Sequence, residues 1–308
     1  TYFTHLNSGT LQDYNHFGTP QNITILRSVP SSYSGIEPFA GFSLNSDFFD
    51  LVGNFGLTPK VSNGINSKFT YDVEGKFKTI NNKISIGIYQ RPIRDSILSY
   101  VGTVDPYSYK SWGRAVGTGI KASYEQSIDE KGSFIYTQAS VEKIKGQDIE
   151  ESTNVNLIVL PKIFMGKLIG DKDYLGLFLL YSKYSKDQDC YYYGCGGYFS
   201  PKNMLIVAPM LEGFYFVNEK FGLHYKAFLG GLILKNWNKS STDVAFDGYL
   251  GGVYMLRNNI FLNLAGEYRK TSKYSEIFTT AYLQYFFGGR YNVNENDLIK
   301  LEKEIYKK

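Results

Sequence analysis

The chain has 308 residues, 17% of them aromatic, with 27 Tyr, 31 Gly, 9 Pro and a formal net charge of +4. Mean hydropathy is −0.25, and the longest apolar run, Tyr174 to Tyr181, is about eight residues. A spanning helix needs roughly 18 to 20, so a helical membrane protein is excluded. The small positive charge is dispersed and gives no support for nucleic-acid binding.

A transmembrane β-barrel needs only about 9 to 11 alternating residues per strand, so its average hydropathy stays near neutral. Many Tyr, Phe and Gly at neutral hydropathy fit that class better than a soluble sandwich. Residue 1 opens in polar sequence with no leader-like segment, and the chain reads as mature or trimmed. Residues 1 to 30 hold weak strand signals at His5–Leu11 and Leu11–Phe17 and a better one at Asn22–Arg27. Gly35–Leu44 and Phe48–Leu57 follow, joined by the turn Asn45-Ser46-Asp47.

From Ile65 the alternation is clean. Ile65, Phe69, Tyr71 and Val73 face one way, and Asn66, Lys68, Thr70, Asp72 and Glu74 the other. Period-2 alternation of this kind gathers the apolar side chains on one face. Ile84, Ile86 and Ile88 oppose Lys83, Ser85 and Tyr89. Val116, Ile120 and Tyr124 oppose Gly117, Lys121 and Glu125. Ile135, Ala139 and Val141 oppose Tyr136, Ser140 and Glu142. Further strands are expected over 154–166, 174–185, 203–216, 220–234, 243–256, 259–270 and 275–287.

The polar faces carry Lys, Asp, Glu, Tyr and Gly on strand after strand, as a wet lumen requires. Many apolar faces end in aromatics: Trp112, Tyr124, Tyr254, Tyr268, Tyr285 and Phe287. Aromatics at strand ends form the interface girdles of outer-membrane barrels. Short connections near Asp129–Gly132, Gly170–Asp173, Asn218–Lys220 and Arg257–Asn259 alternate with longer ones near Lys145–Thr153, Asp187–Lys202 and Trp237–Thr242. Short periplasmic turns and longer outer loops follow the barrel rule. The expected fold is all-β: a transmembrane antiparallel up-and-down β-barrel of about 16 strands. The count is about seven before the loop at Arg91, four between that loop and the one at Cys190, and five after. Residues 1–288 form the barrel and 289–308 a C-terminal periplasmic tail. Asn294 or Asn296 can cap a short helix there, with Leu298, Ile299, Leu301 and Ile305 on one face; a frayed tail is the other reading.

One stretch breaks the alternation. Arg91 to Gly113, RPIRDSILSYVGTVDPYSYKSWG, is charged, Tyr-rich and long for a connection. Loops of about 19 residues are usually functional or disordered, and its aromatics favour a folded loop at the barrel mouth. Cys190 and Cys195 are the chain's two cysteines, within DCYYYGCGG. They suggest a local disulfide in an oxidising compartment, with free thiols as the alternative.

The loop resembles the C-terminal barrel domain of the cellulose synthase operon protein C (BcsC) family, whose pattern is similar to RPVTDSLLSYAGxxDPxxGxxWG. Arg91, Pro92, Asp95, Ser96, Leu98, Ser99, Tyr100, Gly102, Asp105, Pro106, Trp112 and Gly113 match it. A second block, YYYGCGGYFSPKNM, resembles YxYGHGGYFSPQxY, with Cys195 at the usual His. Gly18 to Pro30 is a weaker echo. The blocks fall in order across essentially the whole barrel, but the tetratricopeptide repeats that precede the barrel in that family have no counterpart here.

The resemblance implies an outer-membrane channel exporting a nascent exopolysaccharide, usually cellulose, without chemistry of its own. A glucan needs aromatic faces for its rings and planar polar groups for its hydroxyls. The expected contacts are Arg91, Arg94, Asp95, Tyr100, Asp105, Tyr107, Trp112, Tyr193, Tyr198 and Phe199. Each also has a purely structural reading, as a loop-pinning ion pair or a turn. Expected partners are the glucan, outer-membrane lipid and, through the family's repeats, cellulose synthase components of the periplasm and inner membrane. No cofactor, metal or nucleic acid is expected. A general diffusion porin, or an export channel for another exopolysaccharide, is the runner-up.

Enzyme readings fare worse. The three histidines, His5, His16 and His224, form no metal-ligand spacing. His5-Leu6-Asn7-Ser8-Gly9 is similar to the His-x-Ser-Asn-Gly element of outer-membrane phospholipases. Here the base and nucleophile are three apart and point to opposite strand faces. Asp95 and Asp105 could pair as glycosidase carboxylates only at a fixed separation, which sequence does not set.

Overall fold

The computed structural model describes residues 2–7, 32–61, 64–105, 108–190, 193–271, 275–286, 290 and 292–306. In chain order the elements are β1 (Tyr2–Asn7), β2 (Ser32–Glu37), β3 (Phe39–Asn45), β4 (Phe49–Leu57), β5 (Phe69–Lys78) and β6 (Asn82–Pro92). Then come α1 (Ile97–Tyr100), β7 (Thr103–Val104), β8 (Ser111–Ser127), β9 (Phe134–Gln147), β10 (Ser152–Gly166) and β11 (Lys172–Tyr184). The last are β12 (Asn203–Asn218), β13 (Phe221–Lys235), β14 (Ser240–Arg257), β15 (Ile260–Lys270), β16 (Ser275–Tyr285) and α2 (Glu295–Tyr306).

From β3 to β16 each strand pairs with the next, with β7 as a short side strand on β8, giving a 14-stranded up-and-down sheet. All of these pairings are antiparallel, and β1 pairs separately with β2. The expected four strands between the two loops are β8 to β11, and the expected five after them are β12 to β16. Before the first loop six strands are described. The expected strands at Leu11–Phe17 and Asn22–Arg27 lie outside the described residues.

The side chains show which face meets which solvent. On β6, Ile84, Ile86 and Ile88 are about half exposed or more, while Ser85, Gly87 and Tyr89, which alternate with them, are buried. On β14, Val244, Leu250 and Tyr254 are exposed, and Ala245, Asp247, Tyr249, Val253 and Met255 are buried. Lys162, Glu212, His224, Asn263 and Glu267 are buried on the same inner side. A soluble domain buries its apolar face. Exposure of the apolar face on strand after strand, with charge inside, is the pattern of a membrane-spanning barrel.

The inner charges are paired. Lys121 Nζ lies 2.9 Å from Asp72 and 3.0 Å from Glu74, Arg269 bridges Asp247 at 3.0 Å and Glu267 at 2.6 Å, and Lys162 pairs with Glu212. Each pair joins different strands, or two residues on one strand, across the lumen face. Unpaired, each charge would carry a desolvation cost of several kcal/mol. The inner wall is not uniformly polar, however. Leu160, Ala208, Met210, Phe228, Leu232, Leu234 and Ala245 form one buried apolar cluster, with Phe178 stacked on Phe228.

The outer girdle is partly as expected: Tyr124, Tyr254, Tyr268 and Tyr285 are exposed. Trp112 is a correction, being fully buried in the mouth. Two expected long connections also prove short. β9 runs to Gln147 and β10 starts at Ser152, while β13 runs to Lys235 and β14 starts at Ser240. β13 and β14 pair without interruption to Lys235↔Ser240, while Lys145 and Gln147 pair with β8 across a register shift, beyond the last β9–β10 pair at Ile144↔Ser152.

The tail leaves β16 at the rim of short turns. Val293 N–H donates to Glu219 O at 2.8 Å and Arg290 N–H to Asn258 O at 2.7 Å. α2 then packs on the inner wall. Leu298 and Leu301 are fully buried with Val253 and Phe261. Gly222 and Gly251 leave the space they enter: a Cβ at either would stand 3.2 Å from Leu298 Cδ1 or Leu301 Cδ2. Lys172–Glu295 at 2.7 Å and Lys226–Glu302 at 2.9 Å add ion pairs. A helix of 12 residues is marginal alone, so this docking holds it.

Ile86→Arg tests the sidedness. Ile86 is 61% exposed midway along β6. The expected cost is about 2–4 kcal/mol in lipid, read by urea-induced unfolding from vesicles. A neutral result would place Ile86 in water.

Candidate functional site at the barrel mouth

The first mouth loop leaves β6 at Pro92 and returns at β8. Its fold is local chemistry first. Ser96 caps α1: its hydroxyl accepts from Ser99 N–H at 3.1 Å, and Ser96 N–H donates to Ser99 Oγ at 2.9 Å. This reciprocal cap satisfies two donors of a one-turn helix. Gly102 and Gly113 have φ of +74° and +97°. A Cβ at Gly102 would stand 2.7 Å from Trp112 O, and one at Gly113 would stand 2.5 Å from Leu98 O. The chain therefore closes on itself only with glycine there. Asp105 accepts from Ser108 N–H and Oγ–H at 2.7 and 2.6 Å, setting the hairpin between β7 and β8.

The base of the loop is held by charge. Arg91 makes a two-point pair with Glu142 of β9, Nε to Oε2 at 3.1 Å and Nη2 to Oε1 at 2.7 Å, and the Glu142 side chain has no exposure. Arg94 pairs with Glu37 of β2 at 2.7 Å. The Tyr100 hydroxyl donates to the other Glu37 oxygen. Arg94 also lies over the Tyr100 ring at 5.6 Å. The Arg114 side chain is buried at a backbone bulge, with φ +47°, and donates to Asn66 O at 3.0 Å.

The second loop, between β11 and β12, docks on the first. Asp95 accepts from Phe199 N–H at 3.1 Å, and Ser96 Oγ–H donates to Gly197 O at 2.5 Å. Leu98, Trp112 and Cys195 form one apolar cluster with Ile149 and Cys190 against them. Cys190 and Cys195 are joined as a disulfide within the second loop. Tyr198 is buried with Ile93, Ala115 and Ile144, and burial pushes its phenol well above the ordinary range. In the strand ladder, β8, β9 and β10 separate the two loops' origins, and Glu37 lies on β2. The first loop thus joins β2, of the separate β1–β2 pair, to the second loop, which is rooted three strands along the wall.

These contacts divide the expected site residues. Arg91, Arg94, Asp95 and Asp105 all hold the loops, while Trp112 and Tyr198, at 0 and 1% exposure, lie inside the seam, and Tyr100, at 0%, packs on Ile97, Val101 and Tyr33. Tyr193 and Phe199 face solvent at 38 and 39%, and so does Tyr109 at 70%. Tyr193 Oη–H donates to Asp148 at 3.0 Å. Tyr107 lies outside the described residues, as does Ser8 of the phospholipase-like element. Asp95 and Asp105 both accept backbone hydrogen bonds within the loops. Sequence reasoning did not single out Glu37, Glu142, Arg114 or Leu98 as site residues. Glu142 was legible only as one acid on an inward face. Glu37 gave no signal, because its partners lie 57 and 63 residues away.

A second ionisable cluster lies where α2 meets the wall. His224 Nε2 is 3.1 Å from Glu212 Oε1, and its Nδ1 is 3.7 Å from Glu302. These three could hold a metal by proximity. Lys162 and Lys226 already neutralise both carboxylates, so the chemistry is that of an ion-pair network fastening the helix.

Against known proteins, the solved chain "Bacterial polysaccharide outer membrane secretin" shares the fold at TM-score 0.57 and 13% identity. It is covered to 80% and covers 82% of this chain. Proteins called cellulose synthase operon protein C are similar in sequence. The one from Pseudomonas fluorescens is 27% identical over 227 residues, 67% of this chain and 18% of that protein. The one from Komagataeibacter xylinus is 22% identical over 294 residues, 84% and 20%. The one from Escherichia coli is 28% identical over 131 residues, 40% and 11%. The chain spans about a fifth or less of these relatives. The profile of the family described as "Cellulose synthase operon protein C C-terminus" matches residues 2–230, both mouth loops included, and the chain belongs to that family.

Proposed function

We propose that this domain is the outer-membrane channel through which a nascent exopolysaccharide, a β-1,4-linked glucan of the cellulose type, leaves the periplasm. The observation that carries this reading is the inside-out barrel whose mouth carries two interlocked, motif-bearing loops. The lumen offers paired charges and an apolar strip, which a neutral, hydroxyl-rich polymer can pass without binding tightly. Transport needs no catalysis by this domain. Outer-membrane lipid covers the exposed apolar face. Cellulose synthase components of the periplasm and inner membrane are the partners this reading calls for.

The exposed aromatics Tyr109, Tyr193 and Phe199 are the polymer contacts at the mouth, while Arg91, Arg94, Asp95, Tyr100, Asp105, Trp112 and Tyr198 hold and pack the loops. Single-channel recording with added cello-oligosaccharides tests this on a barrel whose first loop is shortened. Concentration-dependent blockade is expected, weakened about three- to tenfold by Tyr193→Ala or Phe199→Ala, the worth of one aromatic contact. Steady conductance indifferent to every glycan would leave a general diffusion porin as the better account.

A further inference from the structure

We infer that the Cys190–Cys195 disulfide is a thiol-exchange site that locks the two mouth loops together, so that reduction loosens the seam. The inference rests on the export reading for its consequence, but its structural half stands alone.

The bond spans a sequence separation of 5 within the second loop. Cys195 is buried against Leu98 and Trp112 of the first loop, and Cys190 is half-buried beside them. The residues on either side of Cys195 carry the seam's backbone contacts. Gly194 O accepts from Glu150 N–H at 3.0 Å and Gly197 O accepts from Ser96 Oγ–H at 2.5 Å. Tyr198 N–H donates to Gln188 O at 3.1 Å. The disulfide ties Cys195, which sits between Gly194 and Gly197, to Cys190. Gly197, at φ +65°, is pressed on Leu98, where a Cβ would come within 2.7 Å. That close approach survives only while the loop keeps its shape. No other pair of cysteines exists in the chain, so a thiol reagent acts at one place.

The reductant is a dithiol. One thiolate attacks the half-buried Cys190 sulfur, releasing Cys195 as a thiolate. The second dithiol sulfur then displaces Cys190. The reagent ends as a cyclic or paired disulfide, and two electrons and two protons end on Cys190 and Cys195.

The test uses the 308-residue chain in detergent, with dithiothreitol as the probe, and two readouts. Hydrogen exchange reads the seam directly. Amides of Glu150, Tyr198 and Phe199 are expected to exchange about tenfold faster or more after reduction, as release of a short disulfide loop implies. The variant carrying Cys190→Ser and Cys195→Ser should exchange at that faster rate with or without dithiothreitol. Unchanged exchange in both would overturn the inference. Bilayer conductance is the second readout, and reduction is expected to raise open probability. A loop-shortened barrel that passes no current would sink the export reading alone, since exchange still decides the lock. Faster exchange with no rise in open probability, in a barrel that conducts once shortened, would overturn the gating part.

Discussion

Replacing residues 95–109 by a short Gly-Ser linker is expected to raise the conductance of the reconstituted barrel by about an order of magnitude or more, as a loop-plugged barrel becomes a water-filled one. The deletion removes α1 and with it the contacts of Leu98, Tyr100 and Ser96, which together join β2, β8 and the second loop. It leaves Arg91 and Glu142 in place, so the wall keeps that two-point ion pair at the rim. The strands themselves pair without the loop, β6 with β8 from Pro92↔Val116 downward. If current stayed at the intact level, the closure would lie elsewhere in the lumen. α2, which docks on β13 to β16 from the opposite rim, would then be the element to remove next.

Arg91→Ala is expected to be the more damaging half of the Arg91–Glu142 pair. The Arg91 side chain retains 34% exposure, whereas that of Glu142 retains none. Removing arginine strands a buried carboxylate; removing the glutamate leaves a cation that reaches water. Breaking a buried pair costs about 3–5 kcal/mol, and Arg91→Ala should approach that range while Glu142→Ala falls clearly below it. Tryptophan fluorescence during urea unfolding can read both. The chain has two tryptophans, and both report on the mouth. Trp112 is buried in the seam, and the Trp237 indole donates to Ser200 O at 3.1 Å. Equal losses from the two substitutions would mean that solvent reaches Glu142.

The wall was legible because period 2 is written directly in the side chains. Ile84, Ile86 and Ile88 had to share a face whatever lay around them. Which face met lipid followed from the density of Lys, Asp and Glu opposite. Strand ends were less legible. Residues such as Lys145, Gln147 and Thr153 read as loop by polarity, yet they pair, because in the strands above a membrane polar residues suit both faces. The mouth was legible as motifs but not as geometry. Tyr100, Trp112 and Tyr198 look like sugar platforms in sequence, since an aromatic beside glycines in a loop fits either a binding face or a packing core. Burial separates the two, and burial depends on Glu37, Glu142 and Leu98, whose partners are distant in the chain. The docking of α2 was half legible. Leu298 and Leu301 marked an apolar face, but Gly222 and Gly251, which receive it, gave no sign of serving a helix.

The most direct test of the central claim is release of labelled sugars from vesicles holding the loop-shortened barrel. Cellohexaose and an α-1,6-linked glucan of equal length would be loaded together. The account predicts faster release of the β-1,4-linked chain, with the preference diminished by Tyr193→Ala and Phe199→Ala. Equal release of both sugars, unaffected by either substitution, would contradict a glucan-selective channel.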